Sequence, residues 1–406
     1  MFFEKVKEIT GHRIETWLFF IIIVMTWLGF GNEMAGLLTL SFIGFLFFKK
    51  NRRLLIEDKT LLVLALLFTV NCVISSLLSV DKLESSLLSL VWLLVILLPI
   101  TFSRFSLDDD ENFLIRWILP ASIVAAIIIV FYVMIFFLIT VFKEGLIFKR
   151  YSFYYLGTTT TSDVLIMLSG VGYGWWRQKL KERYRWLGFI YLLLCAFGMF
   201  TTLDRGGMLA LFVVIVFLLS YDYKRLILFF VIIALLIYLS YKVASLNVLR
   251  YPFDYLTARY RLEILEKGQQ LDTFHSAWLM IKDHWLMGVG TNNFSTFSKQ
   301  YGSGKWYAYA HNFILQFWAE NGLFGMLFGL SIIGLILYRW ARVLRQHKLK
   351  YVVLGIGVSY IGMLIGNLTN SSIWKIKIAL PFWIIAGIIT TAYFECKKYN
   401  AEEERV

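Results

Sequence analysis

Charge is scarce in this chain. Of 406 residues only 17% are Asp, Glu, Lys or Arg, whereas 59% are apolar; soluble domains run nearer a quarter charged and half apolar. Proline is scarcer still, with 4 residues. Together these shortages argue against a cytosolic enzyme, a disordered chain and a collagen-like one. Cysteine numbers 3, which excludes a secreted disulfide scaffold. Cys72, Cys195 and Cys396 lie far apart, two inside apolar runs and the third beside Lys397, with no CxxC or zinc spacing. They receive no redox or metal role.

What is abundant is apolar sequence. A bilayer-spanning helix needs about 20 apolar residues, and this chain holds enough for about a dozen. Apolar runs lie at 14–30, 33–48, 60–80, 86–102, 117–142, 161–176, 186–203, 206–220, 226–244, 313–338, 351–369 and 378–395. The expectation is an all-α polytopic membrane protein of about 12 transmembrane helices, residues 1–406 forming a single integral membrane domain. The first run, from Ile14, lacks a small-residue cleavage site and reads as an anchor.

The net charge of +13 does not mark a nucleic-acid face, because Lys and Arg cluster between the apolar runs. Lys49, Lys50, Arg52 and Arg53 form one cluster. Others lie at Arg177–Arg185, Lys224–Arg225, Arg339–Lys350 and Lys397–Lys398. Alternating the loops from a cytoplasmic N-terminus puts all of these inside, as positive-inside topology requires, with both termini cytoplasmic.

One loop is long, 245–312, external in this topology, and holds His275, His284 and His311, three of the five histidines. Its aromatic content predicts order, and loops of this length in compact folds are usually functional when ordered. Phe274, Trp278, Ile281 and Trp285 recur at intervals of four, three and four, which predicts one face of a helix. Such a helix lies flat at the membrane surface or packs as a lid; its polar face would carry Asp272, His275 and Lys282.

An external site sees no nucleotide, so chemistry there draws on a lipid-linked substrate whose phosphate suits arginine's planar fork. Arg205, in the turn Thr201-Thr202-Leu203-Asp204-Arg205-Gly206-Gly207, reads either as such a ligand or as half of a local Asp204–Arg205 cap. Arg259 and Arg261 are a second basic point, or a headgroup-contacting surface. His311, just before Asn312 and the tenth run, is either a base for a sugar hydroxyl or a helix-start packing residue. No HExxH, Asp-rich metal signature, Walker loop or dinucleotide fingerprint occurs, so no metal and no cofactor are expected.

Three segments carry a resemblance. Ala277 to Gly290 (AWLMIKDHWLMGVG) resembles the amphipathic helix and Gly-x-Gly turn of the bacterial O-antigen ligase and polymerase superfamily. Ala310 to Gly325 (AHNFILQFWAENGLFG) is similar to its His-Asn-x-x-Leu…Gly element, and Thr202 to Gly207 to its Ser-Arg-Gly turn, with Asp204 at the serine. Many relatives carry arginine at the position of Phe274 and proline at that of Trp285.

The resemblance implies a GT-C-like membrane glycosyltransferase at the outer face of the inner membrane, working without a metal. Its donor would be a glycan on undecaprenyl diphosphate and its acceptor a lipid A-core sugar. Arg205 with Arg261 or Arg259 would hold the diphosphate, His311 would act on the acceptor hydroxyl, and Asn312 and His275 would support it. A polymerase extending lipid-linked glycans is the alternative within the superfamily. A transporter of lipid-linked glycans is the alternative of another class, although no repeat is visible.

Overall fold

A computed structural model describes residues 21, 24–29, 58–107, 119–144, 152–153, 158–177, 185–202, 204–220, 270–344 and 350–403. Among these every regular element is helical: α1 Lys59–Leu77, α2 Lys82–Leu107, α3 Leu119–Glu144, α4 Thr158–Arg177, α5 Arg185–Thr202 and α6 Arg205–Ser220. There follow α7 (270–283), α8 Phe294–Ser298, α9 Phe313–Val343, α10 Lys350–Gly366, a 3₁₀ turn Ser372–Trp374 and α11 Ile376–Glu403. The runs expected at 33–48 and 226–244, and most of 14–30, lie outside the described residues.

Local chemistry sets several helix starts. The side chains of Asp58, Asp81, Asp204 and Asn312 each accept a backbone N–H two or three residues on, at the beginnings of α1, α2, α6 and α9. These are capping residues that satisfy donors a first helical turn leaves over. Among the described residues four helical stretches are long and apolar enough to cross a membrane: Lys59–Leu77, Pro120–Ile139, Phe313–Val343 and Lys377–Lys397. Shorter apolar helices accompany them at Leu187–Met199, Gly206–Leu218 and Lys350–Gly366. Val63, Leu66, Val70 and Ile74 on α1, with Ile127, Ile128, Phe131 and Ile135 on α3, are exposed. Such apolar belts face lipid in a membrane protein. The chain is a multi-pass membrane protein.

At the centre stands α4, buried throughout 160–174. Small residues bring α10 against it: a Cβ on Gly170 would lie 1.9 Å from the Gly355 carbonyl oxygen. The Ser359 hydroxyl accepts the Gly170 N–H at 2.9 Å. Close backbone approach of this kind is how helices associate where apolar burial gives little advantage over lipid. At one end of the bundle Arg339 grips Asp58 with two bonds of 2.6 and 2.7 Å, both side chains almost fully buried.

The helix α9 is broken. Gly322 has φ 69° and ψ −173°, which divides the helix a third of the way along. Backbone groups freed within a bilayer must find partners, and here the Gly288-Val289-Gly290 turn supplies them. Val289 N–H donates to the Ala319 carbonyl at 3.0 Å, Gly290 N–H to that of Glu320 at 2.8 Å, and Leu323 N–H to that of Trp285 at 2.9 Å. From α1, the Asn71 amide donates to the Asn321 carbonyl and the Ser75 hydroxyl to that of Glu320.

Candidate active site

The turn before α6 is built on Asp204. Its carboxylate accepts the Gly207 N–H at 3.1 Å and its carbonyl the Met208 N–H at 2.9 Å, while Thr202 Oγ1 accepts the Asp204 N–H. Arg205 is therefore the first residue of α6, and the helix cap is Asp204 on a backbone N–H. The two following glycines have no room for a side chain. A Cβ on Gly206 would lie 2.7 Å from Thr369 Oγ1, and one on Gly207 would lie 1.7 Å from Ser162 Oγ. The turn thus sits between α4 and the segment after α10.

His311 is held in a similar way. Asn312 caps α9, accepting from Ile314 and Leu315 N–H at 2.9 and 3.1 Å, and donates to the Leu368 carbonyl at 3.0 Å. The Phe313 N–H donates to the Asn367 carbonyl, and Ala310 N–H to Gln316 Oε1. Capping thus falls to Asn312, and the His311 imidazole has no such duty. The backbone of His311 is left-handed, with φ 54°; Asn292 is the other non-glycine residue of this kind among those described. Such conformations cost of order 1 kcal/mol and persist where the surroundings enforce them, often at functional sites.

The segment 366–375 is the common support. It contacts the Arg205 turn through Gly206, holds the 312–313 backbone, and ends in Lys375, whose carbonyl accepts the Ala379 N–H of α11. The Lys375 ammonium lies 4.7 Å from the ring centroid of Tyr309. Burial holds the His311 imidazole below its usual pKa, and the positive charge of Lys375 pushes it the same way. Burial also lowers Lys375, against which the carboxylate of Asp163 acts. Asp163, buried on α4, is hydrogen-bonded to Ser372. A Glu320 carboxylate, fully inside, accepts from Phe294 N–H, Gln316 Nε2 and Trp374 Nε1 and so anchors the residue before Lys375.

The structure therefore brings together the Arg205 turn, His311 and Asn312, together with Lys375, Asp163 and Glu320, which sequence reasoning missed. A signal for the last three was present: each is an ionisable residue in or beside an apolar run. His275 is not in this group. It lies exposed on α7 with Leu271, Trp278 and Lys282, opposite the side packed against Ala310 and Ala319, and Trp285 in the following turn is exposed too. The apolar residues of that packed side are Ala277, Met280 and Ile281, with Thr273 and Ser276 buried beside them. The stripe Phe274, Trp278, Ile281 and Trp285 expected from periodicity therefore runs along the boundary between the two sides. Small Ala277 lets the helix approach closely, while both tryptophans stay out. Arg259 and Arg261 lie outside the described residues. Among the described residues no three His, Cys, Asp or Glu side chains gather closely enough to hold a metal ion.

No curated protein matches the chain. A family model described as O-antigen ligase matches residues 190–330, a span that starts in α5, includes the Arg205 turn and His311, and runs past the break in α9. The motifs at 202–207, 277–290 and 310–325 all fall inside it, and the chain carries an O-antigen ligase domain of the Wzy_C family at residues 190–330.

Proposed function

We propose that this protein is a glycosyltransferase of the O-antigen ligase type, which moves a preassembled glycan from undecaprenyl diphosphate to a lipid A-core sugar hydroxyl. The observation that carries the reading is the meeting of His311 with the Arg205 turn at one end of the helical bundle, through the shared support of 366–375. In the topology given by the basic clusters that end is external, in the periplasm of a bacterial inner membrane, with about 12 spans in a GT-C-like arrangement. Arg205 binds the diphosphate, joined by Arg261 or Arg259 from the external loop at 245–312.

In this reading the acceptor hydroxyl loses its proton to the neutral imidazole of His311 as its oxygen attacks the anomeric carbon. The bond from that carbon to the diphosphate oxygen breaks, and undecaprenyl diphosphate leaves with the electron pair. Arginine stabilises the charge that develops on it. Diphosphate is a good leaving group already, so the step needs no acid; the resemblance to O-antigen ligases implies that it also proceeds without a metal.

Purified protein supplied with lipid-linked glycan, lipid A-core and a chelator tests this. The expected result is glycan on lipid A-core, lost in His311→Ala and Arg205→Ala. Lengthened lipid-linked glycan with unmodified lipid A-core would make the protein a polymerase. An intact donor with no transfer to either acceptor would overturn the transferase reading in favour of transport.

A further inference from the structure

The site contains a lysine for which the reaction so far has no use. Lys375 lies between the 3₁₀ turn and α11, outside the family-matched residues 190–330, and is brought to His311 only by the fold. It is half-buried, with its ammonium over Tyr309. An aliphatic amine drawn out of water beside an imidazole needs anionic company. The carboxylate that acts on it is that of Asp163, which is itself almost fully buried on α4. Asp163 is fixed by Ser372, three residues before the lysine, and its Oδ2 finds no hydrogen-bond partner among the described residues. Ser371 Oγ, in the same turn, and Ser162 Oγ, beside Asp163, are likewise buried and unpartnered there.

Asp163 thus stands between the lysine and the Arg205 turn: Ser372, three residues before Lys375, bonds it, and Ser162, its chain neighbour, abuts Gly207 of the turn. The Asp163 side chain, tied through Ser372 to the segment that ends in Lys375, can fix where the ammonium sits. That ammonium, over the ring of Tyr309, which is two residues from His311 in the chain, is thereby near both residues proposed to act in the transfer.

We propose that Lys375 is a further binding residue for the diphosphate of the lipid carrier, and that Asp163 is its positioning residue. This rests on the transferase reading. As the glycosidic bond breaks, a point charge here complements arginine's planar fork on the same leaving group. It also keeps His311 in the neutral form that accepts a proton. Among the described residues, the charged and titratable groups gathered about Lys375 and His311 are Asp163 from α4, Asp204 before α6, Arg205 by its chain position, Tyr309 and Glu320 from α9. Lys375 is the charge that moves His311.

The test uses full-length protein in detergent, comparing Lys375→Met, Lys375→Gln, Lys375→Arg and Asp163→Asn with wild type. Thermal stabilisation by undecaprenyl diphosphate reads binding without turnover. The expected result is an affinity weakened about tenfold in the two neutral variants and restored in Lys375→Arg, with Asp163→Asn between. In turnover the donor KM rises more than kcat falls. Removing the cation lets imidazolium form more easily, so the acid limb of the pH profile moves to higher pH. Unchanged affinity and an unchanged acid limb in both neutral variants would overturn the proposal. So would equal loss in Lys375→Arg, which marks a structural role. If wild type binds undecaprenyl diphosphate through Lys375 yet transfers nothing, the binding site stands and the transferase reading falls.

Discussion

His311 has a strained left-handed backbone, and the cap of α9 is the Asn312 side chain and not its imidazole. The physical consequence is a base that is neutral at ordinary pH. Burial comes first among the causes, followed by the Lys375 charge, and both lower the pKa from its usual value near 6.5. In the proposed transfer the neutral form is the active one, so activity is full above that value and falls only as pH drops through the lowered one. A pH profile of transfer should therefore show its acid limb below about pH 6.5. A limb at or above that value would mean that another group is titrating. Replacing His311 removes general-base help, for a loss of about 10² to 10⁴-fold in kcat.

At the scale of elements, the break in α9 joins two motifs that look separate in the sequence. Gly288-Val289-Gly290 reads as a turn and Glu320-Asn321-Gly322 as part of a helix, yet each fills the other's empty backbone groups. Gly322 sits at φ 69°, and a Cβ there would lie 2.0 Å from the Leu286 carbonyl oxygen. Gly322→Ala should therefore lower stability by more than about 2 kcal/mol, from backbone strain together with displacement of the turn. Thermal unfolding in micelles checks this, and an unchanged midpoint would show that the latch does not hold α9. The register of α7 shows the limit of periodicity. The aromatic period picked out Phe274, Trp278, Ile281 and Trp285 as one face, whereas the side packed on the protein is chosen by what fits closely, Ala277 and Met280.

For the whole molecule, helices were legible where apolar runs are long and basic clusters bound them; α1, α3, α9 and α11 match their runs. The Arg205 turn and His311 stand out in the sequence because short motifs mark them. Lys375 and Asp163 do not, because no spacing relates positions so far apart until α4 and α10 pack through Gly170 and Gly355. The same holds for Asp58 and Arg339, which tie the start of α1 to the far part of α9. Arg339→Met leaves Asp58 buried and unpaired and should cost about 3–5 kcal/mol. Asp58→Asn in the same chain should recover much of that, since the stranded charge is gone. A double variant no more stable than Arg339→Met would place the loss in the Arg339 contacts with Tyr393 and Phe394 instead.

The most direct test of a transferase built on His311 is the release of undecaprenyl diphosphate from a glycan-charged carrier, in wild type and His311→Gly. Glycine accepts the left-handed backbone without strain, so the variant should fold at least as well as wild type and bind the donor. The account expects one undecaprenyl diphosphate released per glycan moved by wild type, and release reduced by about 10² or more in the stable variant. Equal release from both proteins would contradict it.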